Sequence, residues 1–303
     1  MSDLRQYKFR SMICASGYSR DVIIRAMQKY FHKRQPAEMF WCAVQLYDLG
    51  LAEGRPDEDK QKGKAVLTHL WNRLIVLLDE DIVFDECVLY NGMRDRIDKL
   101  SDGSYNIEAL QEICVIMCGA KMIQLNNDIC SYWENYTVKH IGTDRFIAKP
   151  GDTPELIADM NVFISAIEEK SPIAYGCALK IFHYKDIKSA HRYRRPEPIY
   201  AVWEYILSLP MHTDIKRTLE YRLKEFHKKD RKERKIFLTS AISIVIHSDS
   251  IVIDSIYKME DLKTLYDFVI DDSVDEIVNE DKRYFMKDWR ETVSNHKVSK
   301  KKK

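Results

Sequence analysis

Turn-forming residues are scarce in this chain, with 10 Gly and 8 Pro in 303 residues. That scarcity excludes collagen-like and low-complexity classes and points to a globular, helix-rich protein. Long apolar runs are also missing: none approaches the roughly 18 residues that a bilayer span needs. The opening M-S-D-L-R-Q-Y-K-F-R has no apolar core of signal-peptide length. The expectation is a soluble, non-secreted, intracellular protein of cytoplasm or nucleus, with no membrane partner. Cysteine pairs are lacking too. Seven cysteines stand at 14, 42, 87, 114, 118, 130 and 177, with no C-x-x-C among them. An odd, irregular set reads as reduced thiols, not as a disulfide framework or a zinc site.

Catalytic signatures are absent in the same way. The run R-L-I-V-L-L-D-E-D-I at 73–82 has the outline of a magnesium-holding acidic strand. Such a strand works only opposite a phosphate loop, and there is no G-x-x-x-x-G-K-[ST]. Gly63-Lys64-Ala65 lacks the partner glycine and the hydroxyl. Glu80 and Asp81 are neighbours on a helix, so they point about 100° apart and form no carboxylate dyad. Cys114 and Cys118 share a helix face but have no His or third thiol in the pattern, which reads as core packing. No H-E-x-x-H, H-x-E…P-C-x-x-C or G-x-S-x-G is present. The chain is therefore read as no enzyme, with no cofactor, no metal and no small-molecule ligand. An enzyme whose site is assembled from residues distant in sequence is the remaining catalytic alternative.

What the sequence does contain is helical periodicity. Hydrophobic residues make up 45% and charged residues 31%. Val22, Ile23, Ala26, Met27, Tyr30 and Phe31 lie on one face of a first helix, with Ser19 as its N-cap. Pro36 opens a second helix that stops near Gly50. A polar loop at 53–64 leads to a third, carrying Leu67, Leu70, Trp71, Leu74, Ile75 and Leu78. A long helix is expected from Ile107 to about Tyr136. The Gly- and Pro-bearing stretch 140–154 marks a boundary. Further helices are expected near 155–168, after Ser171-Pro172, after Pro196 and Pro198, at 212–228 and at 231–247. The single strand candidate is S-I-V-I-D-S-I-Y at 250–257. The fold class is all-α: an irregular multi-helix array in two helical subdomains, 1–140 and 155–290, with a basic, disordered tail at 291–303.

The order of landmarks in the first third carries a resemblance. Gly17-Tyr18, Ala26-Met27-Gln28-Lys29, the basic His32-Lys33-Arg34, Trp41 with Ala43 and Leu46, and Leu70-Trp71-x-Arg73-Leu74 leading to Glu80-Asp81-Ile82 follow one another. This resembles the carboxy-terminal helical region of clamp-loader-type AAA+ ATPases, the group of replication-associated recombination protein A and Werner-helicase-interacting protein. It covers about residues 13–85, and more faintly the chain to 136. It departs at Arg34-Gln35-Pro36, where that family has a glycine and an acid, and at Val83-Phe84, where it has Gly-Leu. The resemblance implies a helical collar that packs subunits together, without the ATP-binding core. On it, Asp79-Glu80-Asp81 closes a helix and has no metal role. It also implies a stand-alone form of the kind carried by large DNA viruses, which places the chain in a viral factory or virion if the source is viral.

The net charge of +1 hides a basic stretch at 216–235 followed by an acidic one at about 254–281. The basic stretch has ten Lys or Arg against four Asp or Glu. Leu219, Leu223 and Phe226 mark its buried side, and Glu225 with Lys229 is a candidate i,i+4 pair. Clustered cations release counterions on meeting phosphate, which gives salt-sensitive, sequence-blind affinity for nucleic acid. The candidate DNA-binding residues are Arg192, Arg194, Arg195, Lys216, Arg217, Arg222, Lys224, Lys228, Lys229, Arg231, Lys232, Arg234 and Lys235. The competing reading is a solvated face, or one covered by the acidic segment. The 17 Tyr and 5 Trp, among them Trp41, Trp71 and Trp133, read as core packing. Together these features predict a non-enzymatic helical oligomerisation or interaction protein of DNA replication, recombination or repair, working as a homo-oligomer or within a larger protein assembly. The alternative is a structural or scaffold protein of virion type that works through protein contacts.

Overall fold

A computed structural model of the chain describes residues 12–51, 57–82, 87–102, 106–120, 122, 126–133, 137, 144–184 and 197–250. The fold is all-α: eleven α-helices and one 3-10 turn, with no strand among the described residues. The helices are α1 Arg20–His32, α2 Pro36–Leu51, α3 Asp57–Asp81, α4 Cys87–Ser101, α5 Ile107–Gly119, α6 Asn126–Trp133, α7 Pro154–Glu168, α8 Ile173–Phe182, α9 Tyr200–Ser208, α10 Thr213–Lys228 and α11 Arg231–Ile246. The chain divides into two units. The first takes its described residues from 12–77 and 95–120, the second from 78–94 and 122–250. The strand candidate at 250–257, except for Ser250 at the end of the 3-10 turn, and the tail at 291–303 lie outside the described residues.

In the first unit, α1 and α2 form the expected hairpin and α5 packs against both. The faces they enclose carry Ile23, Met27, Tyr30 and Phe31 on α1, Met39, Cys42 and Leu46 on α2, and Ile113, Cys114 and Met117 on α5, all buried. Ser19 has the extended backbone of an N-cap, but its side chain makes no capping bond. Helix α2 ends at Leu51, one residue past Gly50, close to the expected stop. A Cβ at Gly50 would sit 2.5 Å from the Leu67 side chain, so glycine is there for the close approach of α3. The expected polar loop at 53–64 is shorter than its composition implied, because α3 starts at Asp57.

In the second unit, α7 packs on α8, α10 on α11, and α11 also reaches α6, α7 and α8. Phe226 is the aromatic hub, with ring centroids 5.3 Å from Trp203, 6.0 Å from Tyr200 and 6.2 Å from Phe182. Thr153 caps α7 by accepting from Leu156 N at 3.2 Å, with Pro154 in the first turn.

Two expectations about helices are corrected. The long helix from Ile107 is broken at Gly119, and Ala120 turns extended; Met122 then pairs with Ile82 in an isolated antiparallel bridge, and α6 starts only at Asn126. Helix α4 was not anticipated at all. Its buried positions include Tyr90, Asn91 and Arg94 beside Cys87, Met93 and Ile97, so no purely apolar stripe announces it.

Candidate nucleic-acid interface

Helix α10 has two chemically distinct faces. Ile215, Thr218, Leu219, Arg222, Glu225 and Phe226 are buried, while Lys216, Arg217, Glu220, Lys224, His227 and Lys228 are exposed. At 3.6 residues per turn the exposed positions fall in one sector. Its single acid is Glu220.

The inward face is held by charge as well as by hydrocarbon. Arg222, expected among the solvent-facing cations, is 1% exposed. Its Nε lies 3.2 Å from Asp79 Oδ1 and donates to Ser240 Oγ at 2.7 Å. Its guanidinium sits 4.2 Å above the Tyr90 ring. Tyr90 Oη donates to both Asp79 oxygens, at 3.0 and 3.2 Å. Arg94 Nη2 donates to Glu225 Oε1 at 2.9 Å, with both side chains enclosed. Glu225 therefore belongs to Arg94 and, at 3.2 Å, to Lys228, and not to Lys229 as its spacing implied. Lys229 instead approaches Glu233 at 4.0 Å. Thr218 Oγ1 donates to Asn91 Oδ1, and Asn91 Nδ2 donates to the Asp214 carbonyl, both at 2.9 Å. Burial raises the Asp79 carboxyl above the ordinary aspartate value, and the Arg222 and Arg94 charges and the Tyr90 hydroxyl act against that rise. Burial, with the Asp79 charge, pushes the Tyr90 hydroxyl up, so it remains a donor.

Asp79 thus answers the question raised by the acidic run at 79–81. It is the buried partner of an arginine on another helix. Among the described residues, no group of three His, Cys, Asp or Glu side chains is gathered to hold a metal ion. No helix is long and apolar enough to cross a membrane, among the same residues.

The other sequence-predicted site residues distribute as follows. Lys216, Arg217, Lys224 and Lys228 share the exposed sector of α10. Lys229, Arg234 and Lys235 are half-buried. Arg234 Nη1 binds Glu197 at 2.7 Å, its Nε donates to the Lys229 carbonyl at 3.1 Å, and its guanidinium covers Phe226 at 5.1 Å. Arg234 is a strut between helices. Arg192, Arg194 and Arg195 lie outside the described residues, as do the side chains of Arg231 and Lys232.

Sequence reasoning missed Tyr221. It is half-buried on the margin of the exposed sector, with Arg94, Arg217 and Lys224 charges 5.3, 5.7 and 6.0 Å from its ring centroid. Its signal was the spacing Arg217, Tyr221, Lys224, Lys228, which is i, i+4, i+7 and i+11 along one stripe.

Fold and site together define an all-α protein with a charge-anchored helix presenting cations to solvent. No protein-family model, no curated protein and no solved structure matches the chain.

Proposed function

We propose that this chain is a non-enzymatic helical interaction protein of DNA replication, recombination or repair, which self-associates and holds nucleic acid through the outward cations of α10. One observation carries the nucleic-acid part. The buried pairs of Arg222 and Glu225 fix the rotation of α10, so Lys216, Arg217, Lys224 and Lys228 are presented together. Cations arranged so attract phosphate without reading sequence.

The self-association part rests on the likeness of the first third to the clamp-loader collar. Two features of the first unit support it. Gly17 takes φ 83 in the tight turn that delivers the chain into α1, and Arg34 takes φ 58 where the resembled family has glycine. Both are backbone positions that favour glycine.

The test is light-scattering mass of the pure protein, combined with mobility shifts of a labelled duplex over a salt series. The expected results are a mass that is a multiple of the single chain, and an affinity falling linearly in log–log form by roughly 0.9 per phosphate engaged. Lys216→Glu with Lys224→Glu should weaken binding at low salt. A monomer that retains no DNA at low salt would remove both parts of the proposal.

A further inference from the structure

We infer that the stripe Arg217, Tyr221, Lys224 and Lys228 is a site for single-stranded nucleic acid, in which Tyr221 stacks a base while the flanking cations hold its phosphates. This rests on the nucleic-acid reading of α10 and names the form of strand that the helix takes.

The stripe runs from Arg217 to Lys228, eleven residues of helix, so it is about 16 Å long at 1.5 Å per residue. That length accommodates a few nucleotides of one strand. Tyr221 lies between the cations. Behind it stands the Arg94 guanidinium, 5.3 Å from the ring centroid and locked by Glu225 at 2.9 Å. A buried, ion-paired arginine does not swing, so the ring has a rigid cationic backing. Arg217 and Lys224 differ from Arg94 in being exposed, at the ends of long stems. Their charges sit 5.7 and 6.0 Å from the ring centroid, and cation–π contacts at exposed sites are weak. A strand offering phosphates to Arg217 and Lys224 draws both away from the ring and leaves its outward part to a base.

Duplex bases are already stacked on one another, so a duplex offers this stripe only its phosphates. A single strand offers phosphate and π-face together, the combination on which sequence-tolerant single-strand binders are built. In this arrangement the cations are engaged by phosphate and the ring by a base face, neither of which distinguishes one sugar from the other. Ribose and deoxyribose strands therefore share the chemistry it recognises.

Anisotropy titrations of the full chain with labelled oligo(dT), oligo(U) and a duplex of equal length, each over a salt series, test this. Wild type is expected to bind oligo(dT) and oligo(U) each tighter than the duplex, and a large difference between the two would mark one of them as the strand the site takes. Tyr221→Leu should weaken single-strand binding by about tenfold, leaving the salt slope and the duplex affinity unchanged. Tyr221→Phe should bind as wild type, which also shows that the site tolerates substitution. Arg217→Gln with Lys224→Gln should lower the salt slope by about 1.4 on single strands. Equal loss on duplex and single strand in Tyr221→Leu, or no loss, overturns the site while sparing the broader proposal. No binding of any of the three oligonucleotides at low salt overturns both.

Discussion

In the first unit the enclosed side chains are hydrocarbon, aromatic and thiol: Ile23, Met27, Phe31, Met39, Cys42, Leu74, Ile113 and Cys114 are all inaccessible. Cys118 Sγ lies 3.5 Å from Met39 Sδ. The second unit encloses charge. Every buried polar or charged residue among those described belongs to it, including Asp79, Arg94, Asp159, Arg222 and Glu225. Asp159 is bonded to Lys180 at 2.8 Å and also accepts from the Tyr184 hydroxyl. Apolar burial is non-directional and tolerates small rotations of a helix. A guanidinium facing a carboxylate does not. The second unit thus pins α10 to one rotation, and that rotation decides which cations meet solvent. The basic surface is a consequence of the buried pairs.

Removing one member of a buried pair should have the largest effect. Arg222→Met leaves Asp79 enclosed with its charge uncompensated, and should cost about 3–5 kcal/mol in urea unfolding. Met27→Leu in the first unit, an apolar exchange of similar volume, should cost less than about 1.5 kcal/mol. The double variant Asp79→Leu with Arg222→Met should recover much of the loss, because Arg222 Nη1 and Glu225 Oε2 are buried with no hydrogen-bond partner and the network is not fully satisfied to begin with. If the single and double losses add, the pairs are not coupled and the pinning argument fails. The recovered double variant should also bind DNA more weakly along α10, since its rotation is then held only by the Arg94–Glu225 pair and the Asn91 bonds.

The same contrast explains how much could be read in the sequence. The first unit's helices were legible because their buried faces are apolar at spacings of three and four, as in Leu70, Leu74 and Leu77 of α3. Helices α7 to α11 were legible through Pro154, Pro172 and the apolar runs that follow. Helix α4 was not, because its inward face carries Tyr90, Asn91 and Arg94, whose partners Asp79, Thr218 and Glu225 stand elsewhere in the chain. Arg222 was misplaced for that reason too. A cation in a basic run looks solvated until a distant acid is known to face it. Lys216, Arg217, Lys224 and Lys228 were placed correctly because they lie opposite Leu219 and Phe226 in helical spacing, the same face that the buried pairs turn inward.

Sulfur, unlike charge, should behave alike in both units. Burial pushes the thiols of Cys14, Cys118 and Cys177 up to about 12, and those of Cys42 and Cys114 well above the ordinary value of 9.0. The folded protein therefore keeps these protons above pH 9, where the unfolded chain releases them. The thiols' contribution to stability is complete below pH 9 and is lost as pH rises from there towards 12, by about 1.4 kcal/mol per pH unit for each of Cys14, Cys118 and Cys177. Cys14→Ala in the first unit and Cys177→Ala in the second should each flatten the fall between pH 9 and 10.5 by about 2 kcal/mol. A steeper change for one than for the other, measured as the shift in urea midpoint, would mean that the two cores differ in more than their charges.

The smallest effect comes from a feature that the two units share. Helices α1 and α7 end in the same closure. Arg34 N donates to the Phe31 carbonyl and Gln35 N to Tyr30, while Lys170 N donates to Ile167 and Ser171 N to Ala166. These are the paired reverse bonds of a Schellman motif, which requires a left-handed residue just past the helix. Arg34 at φ 58 and Lys170 at φ 53 supply it with long basic side chains where glycine is favoured. Relief of the left-handed strain outweighs the entropy that glycine adds to the unfolded chain, so Arg34→Gly and Lys170→Gly should each stabilise by about 1 kcal/mol. Lys170 also pairs with Asp249, but an exposed pair is worth little, so its gain should fall only slightly below that of Arg34. Thermal unfolding of the two variants, alone and combined, measures this. Additive gains are expected, because the two closures share no residue. A loss in Lys170→Gly alongside a gain in Arg34→Gly would show that the second unit depends on exposed charge as well as on buried charge.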